Sequence, residues 1–356
     1  MWRDRRVLDL FGINLPILLA PMAGAGGAEL AIAVAEAGGL GSLPCAMLSP
    51  DQIRNELGII RQRVSAPINL NFFCHRQPEP HPAAEAVWRG RLAPYYAEFG
   101  LDPNATPAGV GRNPFNEEAC GIVEEYRPEI VSFHFGLPEE PLLERVRRTG
   151  AKIIASATTV AEARWLEERG CDAIIAQGAE AGGHRGVFLE EDISTQPGTM
   201  ALVPQVVDAV SVPVIAAGGI SDGRGVAASF MLGASAVQVG TAYLQSPEAL
   251  IGPLHKEALA NARDDRTVLT NVFTGRPARG LVNRIIREVG PISSDSPAFP
   301  LATAAIMPLR KAAESAGSSD FSPLWAGQSA PLAKPMPARE LTTSMMRKAA
   351  ALLNGA

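Results

Sequence analysis

The stretch Ala176-Gln177-Gly178-Ala179-Glu180-Ala181-Gly182-Gly183-His184-Arg185-Gly186 brings together two requirements of a small-molecule active site. Its glycines let main-chain amides approach a ligand closely. Its one histidine, His184, belongs to the residue type whose ordinary pKa lies nearest neutrality. The apolar run Asp172-Ala173-Ile174-Ile175 just before it reads as a buried strand. A group able to take or give a proton therefore sits on a flexible loop leaving a strand, with Gly182 as a close-approach position.

Two later segments add a second chemistry. Ala216-Ala217-Gly218-Gly219-Ile220-Ser221-Asp222-Gly223 and Gln238-Val239-Gly240-Thr241 each follow an apolar run. One Gly-Gly pair alone would be an ordinary tight turn. Two such loops after consecutive late strands suit a phosphate, because barrels hold phosphates there with amides and a helix N-terminus. Gly218, Gly219, Gln238, Val239, Gly240 and Thr241 are the candidates. The nearest cation, Arg224, falls inside the next helix, so binding rests on amides and the helix dipole. That suits a phosphate monoester such as that of FMN. A G-x-x-x-x-G-K-[ST] loop is absent. Gly24-Ala25-Gly26-Gly27-Ala28-Glu29 fails the dinucleotide spacing, since Glu29 stands where the third glycine belongs.

Other candidates end earlier strands. Pro21, Met22 and Ala23 end the first. Asn69 and Asn71, two residues apart in the third, share one face. An outward polar pair beneath a helix would need partners, so the inward, ligand-facing orientation is expected. Gln177 ends the sixth, where its amide can both donate and accept. His134 ends the fourth and reads equally as a satisfied core histidine or as part of a substrate pocket. His75, His81 and His255 are expected on surface or insertion positions. No carboxylate or cysteine spacing accompanies the histidines, so no metal site is expected.

What positions these residues is a strand–helix alternation from about 13 to 262. Strands are expected at 16–22, 39–43, 67–73, 130–135, 152–157, 173–177, 213–217 and 236–240. They are rich in Ile, Val and Ala with few charges, as expected of parallel strands covered on both faces. Ser49-Pro50-Asp51-Gln52 and Thr159-Val160-Ala161-Glu162 read as capping boxes, and Gly38, Gly150, Gly170 and Gly233 as helix ends. Eight repeats predict an α/β fold, a (β/α)8 TIM barrel, over a doubly wound sheet made of the same units. Residues 1–262 would form the barrel. The proline-rich 75–115, ending in Gly109-Val110-Gly111-Arg112, would be an insertion after strand three, a lid or side wall with short helices. Residues 263–356 would form a mostly helical cap, with an extra strand at 268–274.

Composition bounds the partners. Hydrophobic residues at 47% and charged residues at 19% allow a large core and argue against disorder. A net charge of −5 argues against nucleic acid. The four cysteines are scattered, without a C-x-x-C pair. The first apolar run, 16–20, is too short for a membrane span and poor as a signal peptide. A cytoplasmic protein acting on small molecules is expected.

Together these residues resemble the nitronate monooxygenase (2-nitropropane dioxygenase) family, over nearly the whole chain. Ala20-Pro21-Met22-Ala23 is similar to its opening strand motif, Glu180–Gly186 to its catalytic-histidine loop, and Ala217-Gly218-Gly219-Ile220 and Gln238–Thr241 to its phosphate loops. Phe273-Thr274-Gly275-Arg276-Pro277-Ala278-Arg279-Gly280 and Trp325-Ala326-Gly327-Gln328 resemble features of its class I members. The histidine loop is shared with FMN-dependent enoyl-thioester and quinone reductases, so it speaks to the fold more than to the substrate. The family's tyrosine-bearing segment has no counterpart here: Phe299-Pro300-Leu301-Ala302 precedes Pro308-Leu309-Arg310. The resemblance implies FMN and oxidation of alkyl nitronates by O2 to a carbonyl compound and nitrite. His184 would serve as a neutral base or as a cation holding the nitronate. A homodimer is left open. The alternatives are an NAD(P)H-dependent FMN reductase and a non-redox phosphate-binding barrel.

Overall fold

The computed structural model describes residues 2, 4–102 and 112–355. Six strands alternate with helices from the start: β1 (Ile17–Leu19), β2 (Gly41–Pro44), β3 (Ile68–Phe73), β4 (Ile130–His134), β5 (Lys152–Ala157) and β6 (Ala173–Gln177). A two-residue strand, β7 (Gly183–His184), follows, then β8 (Val214–Ala217) and β9 (Ala236–Val239). All except β7 form one parallel sheet, in the order β1-β9-β8-β6-β5-β4-β3-β2. A parallel bridge between Leu18 and Leu40 brings its two ends together. The sheet is a (β/α)8 barrel.

Its inner layer explains why these runs are strands. Leu18, Leu40, Ile130, Ile154, Ala173, Ile175, Ile215 and Ala236 form one buried cluster with Val7, Leu8 and Phe11. The last three lie on the short helix Arg6–Phe11, which plugs the N-terminal mouth. Branched and small side chains fill the barrel's taper, leaving only the C-terminal mouth open for a ligand. Asn69 and Asn71 pair in register with Ile130 and Ser132. Both asparagines therefore face inward, as expected.

Eight positions in the sequence were expected to hold strands and all eight do, with β5 and β6 keeping the expected bounds. The first is shorter, because the chain turns at Met22, whose carbonyl accepts the amides of Ala25 and Gly26. The box at Ser49 is complete, with Ser49 N donating to Gln52 Oε1 at 2.8 Å. The one at Thr159 is only half made. Thr159 Oγ1 accepts from Glu162 N, but the Glu162 carboxylate accepts instead from Thr158, Phe188 and Leu189. It is buried, and ties the end of β5 to the chain leaving the histidine loop.

The segment after 262 does two different jobs. Helix Ala338–Leu353 returns to the barrel: Leu341, Met345, Met346 and Ala349 join the main core. It packs between helices Ala28–Glu36 and Gly223–Met231, where the barrel's eighth outer helix belongs. The rest builds a second core. Trp88, Leu92 and Tyr96 of helix Pro82–Glu98 pack with Ile286, Ala302, Ile306 and Phe321. Trp88 Nε1 donates to Ala302 O at 3.2 Å and Tyr96 Oη to Ala305 O at 2.7 Å. The described part of the insertion is thus a 17-residue helix clamped to the C-terminal segment, not a set of short helices. Gly109, Val110 and Gly111 lie outside the described residues. The strand expected at 268–274 stops early, as β10 (Thr267–Thr270), because the next residues turn so that Gly275 N donates to Asn271 O. β10 pairs with β11 (Ala278–Leu281), which pairs with β7, setting His184 opposite Ala278.

Candidate active site

A cavity of about 600 Å³ opens at the C-terminal ends of the barrel strands. Of the sequence candidates, Pro21, Met22, Ala23, Asn71, His134, Gln177, Gly182, His184, Gly218, Gly219, Gln238, Gly240 and Thr241 line it. Two do not. Asn69 lies one inward layer deeper, fully buried, with Nδ2 donating to Ser42 Oγ at 3.1 Å. Val239 faces outward into the helix layer. Its carbonyl accepts from Ala20 N, which joins β9 to β1.

One end of the cavity is built by absent side chains. Gly218 and Gly219 have φ of 114° and 70°, a region that costs other residues dearly. A Cβ on Gly218 would also stand 2.8 Å from Thr199 Oγ1. A Cβ on Gly182 would stand 2.6 Å from the Gly327 amide. Glu180 secures the wall behind, its carboxylate accepting from Thr199 N and Thr199 Oγ1. Among the described residues, the Gly219 amide meets no acceptor. The Thr241 hydroxyl accepts from Gly327 N at 2.9 Å, which leaves its proton to donate. Gln238 Oε1 is buried without a partner. Free amides, a free hydroxyl proton and an orphaned acceptor on one concave surface fit a phosphorylated ligand with a polar ring.

The other end is built by side chains. Gln177 Nε2 donates to His184 O at 3.1 Å, and Gln177 Oε1 accepts from Gly186 N at 2.7 Å. His134 Nε2 lies 3.3 Å from the same His184 carbonyl, and its Nδ1 lies 3.1 Å from Ser156 Oγ. Gln177 and His134 therefore both spend polar atoms on holding the backbone of residue 184. Arg185, fully buried, donates to the carbonyls of Gly178, Ala181, Gly182 and Gly183, and so fixes the glycine loop from behind. Desolvation pushes its pKa down to about 9.

The His184 imidazole is oriented by the C-terminal segment. Its Nε2 lies 3.0 Å from Thr274 Oγ1. The Thr274 hydroxyl donates to Arg276 O at 3.3 Å. With that bond made, its oxygen is the acceptor for His184, whose proton then sits on Nε2. The lone pair falls on Nδ1, which meets no protein partner among the described residues. Burial drives the His184 pKa well below its ordinary value, and Arg112, His134, Arg276 and Arg185 push the same way. His134 is lowered to about 3, chiefly by burial. Both rings are neutral at pH 7, so His184 stands as a base rather than a cation.

Several site residues were not among the sequence candidates for the site. Phe73, Phe135, Phe299 and Trp325 ring the imidazoles, with the His184 ring 5.3 Å from Phe299 and 5.5 Å from Trp325. Phe135 takes φ of 71°, a backbone strain typical of functional sites. The three histidines expected on surface or insertion positions divide. His81 is exposed and caps helix Pro82–Glu98 through Nδ1. His75 is instead 5% exposed against Phe299, and His255 lines the cavity. Their positions follow from the insertion and the C-terminal segment folding over the mouth, which local pattern does not reveal. The class defined by fold and site is a (β/α)8-barrel enzyme with a neutral imidazole beside a glycine-walled pocket.

Comparison with known proteins narrows that class. Residues 4–348 match the family described as nitronate monooxygenase. A nitronate monooxygenase of Pseudomonas aeruginosa is 41% identical over 345 residues, 96% of this chain and 98% of that one. The crystal structure of a nitroalkane oxidase from Streptomyces ansochromogenes superposes with a TM-score of 0.89 at 40% identity, covering 98% of this chain and 99% of the other. FabK from Thermotoga maritima follows at 0.71 and 29% identity, covering 98% and 97%. The chain belongs to the nitronate monooxygenase family. Among the described residues, no helix is long and apolar enough to cross a membrane.

Proposed function

We propose that this enzyme oxidises alkyl nitronates, and nitroalkanes after deprotonation, by O2 to a carbonyl compound and nitrite, with FMN as cofactor. The observation that carries the reading is one cavity with a side-chain-free, amide-lined wall at one end and a neutral, oriented imidazole at the other. FMN supplies the one-electron and O2 chemistry that amino-acid side chains lack.

The residues supply the rest. Gly182, Gly218, Gly219, Gly240 and Thr241 hold the phosphate through amides and a hydroxyl. Gln238 offers its orphaned carbonyl to a ring donor, and Asn71, Gln177 and Pro21–Ala23 bound the ring's site. Asn71 is fixed by Ser132, to which its Nδ2 donates at 2.9 Å. His184 Nδ1 removes the α-proton of a neutral nitroalkane, with the Nε2–H held by Thr274. A substrate that arrives as its nitronate needs no base. Phe73, Phe135, Phe299 and Trp325 keep water from the imidazole, which holds it neutral and its lone pair free to take a proton. His134 supports the His184 backbone from the pocket wall. Small molecules of this kind are the partners. A homodimer and a cytoplasmic location are consistent with the reading.

Purified protein should be yellow, with flavin absorbance, and should consume O2 and release nitrite on propionate 3-nitronate. Anaerobic titration separates the rival reductase reading: nitronate should bleach the flavin rapidly and NADH slowly. Rapid bleaching by NADH alone would replace the proposal with a reductase. A colourless protein not stabilised by added FMN would favour the non-redox barrel.

A further inference from the structure

Two guanidinium groups line the cavity, and they differ. Arg310 is paired with Glu314 at 2.7 Å. Arg112 is 9% exposed and has no ion pair among the described residues. Residues 103–111, which precede it, contain no Asp or Glu. Its Nη1 donates to Thr303 Oγ1 at 3.2 Å, and its Cζ lies 5.7 Å from the centre of the Phe299 ring. Burying a guanidinium without a counter-charge is costly. Desolvation together with Arg310 pushes its pKa down to about 10, so it remains charged at pH 7. Arg112 is also close enough to His184 to depress the imidazole's pKa, more than His134 does. A fixed cation, facing the cavity and near the base, wants an anion that comes and goes.

We propose that Arg112 anchors the substrate's planar anionic oxygen pair, its fork meeting two oxygens at once. The inference rests on the nitronate reading above and adds its specificity-determining residue. Planar guanidinium matches a planar O–N–O or O–C–O head bidentately, where an ammonium offers only a point charge. Two sources share that chemistry, the nitronate group itself and a carboxylate elsewhere on the substrate. Where the anion is a carboxylate on a still neutral nitroalkane, it neutralises Arg112, which removes part of the pressure keeping His184 neutral and makes it a stronger base once substrate is bound.

The test uses the holoenzyme and two variants, Arg112→Met and Arg112→Lys. KM and kcat are measured for ethyl nitronate and propionate 3-nitronate. Nitrate, a planar oxyanion, is titrated separately and its binding read as a difference spectrum of the bound flavin. Arg112→Met should raise KM about 10- to 100-fold, the range for a lost hydrogen bond to a charged group, with little change in kcat. Nitrate binding should weaken alongside, and Arg112→Lys should fall between. A KM rise for both nitronates assigns the nitronate head; a rise for propionate 3-nitronate alone assigns the carboxylate. If Arg112→Met does not fold, the same comparison with Arg112→Lys decides. Unchanged KM and nitrate affinity, at equal flavin content, overturn the proposal. Nitrate binding that depends on Arg112 in an enzyme releasing no nitrite would keep the anion anchor and reject the nitronate reading.

Discussion

The two ends of the cavity are made on opposite principles. The wall at 218–219 and 240–241 works because side chains are missing, and its residues sit next to one another on consecutive strand ends. The imidazole end works through bulk and charge. It gathers Phe73, Arg112, His134, His184, Thr274, Phe299 and Trp325 from across the chain. The local wall is built from neighbouring barrel loops, with one brace from the C-terminal segment where Gly327 N donates to Thr241. An assembled pocket depends on the C-terminal segment folding back, since β11 pairs with the histidine strand and Thr274 holds the ring. On the proposed reading the difference separates binding of the cofactor from the chemistry on the substrate, so substitutions at the two ends should fail in different ways.

The largest effect is expected in the glycine wall. Gly218→Val puts a β-branched side chain at φ of 114°, with its Cβ 2.8 Å from Thr199 Oγ1. The protein should be purified colourless, with FMN affinity lowered at least about 100-fold, the equivalent of a few kcal/mol of strain and lost contacts. Circular dichroism should stay that of a folded barrel. A yellow Gly218→Val protein with normal turnover would remove the wall from the cofactor site.

His184→Asn should do the reverse. Flavin content should be unchanged, and kcat/KM on a neutral nitroalkane should fall about 10²- to 10⁴-fold, the range of a general base. The loss on a preformed nitronate should be much smaller, because no proton is removed. Equal losses on both substrates would show that the ring binds rather than abstracts. Thr274→Val probes the orienter. It leaves Nε2–H without its acceptor, worth about 0.5–1.5 kcal/mol, so nitroalkane turnover should fall roughly 2- to 10-fold. Flavin content should hold there too. No change would mean that aromatic packing alone sets the ring.

The same contrast governs how much could be read from sequence. The barrel was legible because each strand carries its own signal, an apolar run bounded by turn residues, and parallel pairing needs no long-range specification beyond that. The glycine wall was legible for the same reason. His184 was visible through its loop. Its partner Thr274 lies 90 residues away. Arg112 looked like one basic residue in a proline-rich insertion. His75 and His255 were expected on surface or insertion positions because their neighbours are polar or proline-rich, yet one is buried and the other faces the cavity through contacts made by distant segments. The last helix reads like any other amphipathic helix. Only the gap left after β9, where a 3-10 turn stands in place of a helix, calls for it as the barrel's eighth.

Acidification should separate the two ends most gently. The wall residues Gly218, Gly219, Gly240 and Thr241 carry no titratable side chain, whereas the imidazole end buries neutral histidines. Burial depresses the folded-state pKa of His134 to about 3 and of His184 well below its ordinary value. In the unfolded chain each returns to about 6.5. Between the two values the unfolded chain holds more protons, so stability rises with pH there. The contribution is fully present above about pH 6.5 and is lost as pH falls below it, by up to about 1.4 kcal/mol per pH unit for each ring. Melting temperature should therefore be flat from about pH 8 to 7 and should slope downward from about 6.5 to 4. The depressed carboxylates, such as Glu98 and Glu124, add their loss only at the acid end of that range, because their ordinary values lie near 4.5. His134→Gln replaces one buried neutral ring by a group that does not titrate, and should make the slope shallower between pH 6.5 and 5. A slope that His134→Gln leaves untouched would mean that the imidazole end admits enough water to protonate its rings without unfolding, and the dry pocket that keeps His184 neutral would not exist.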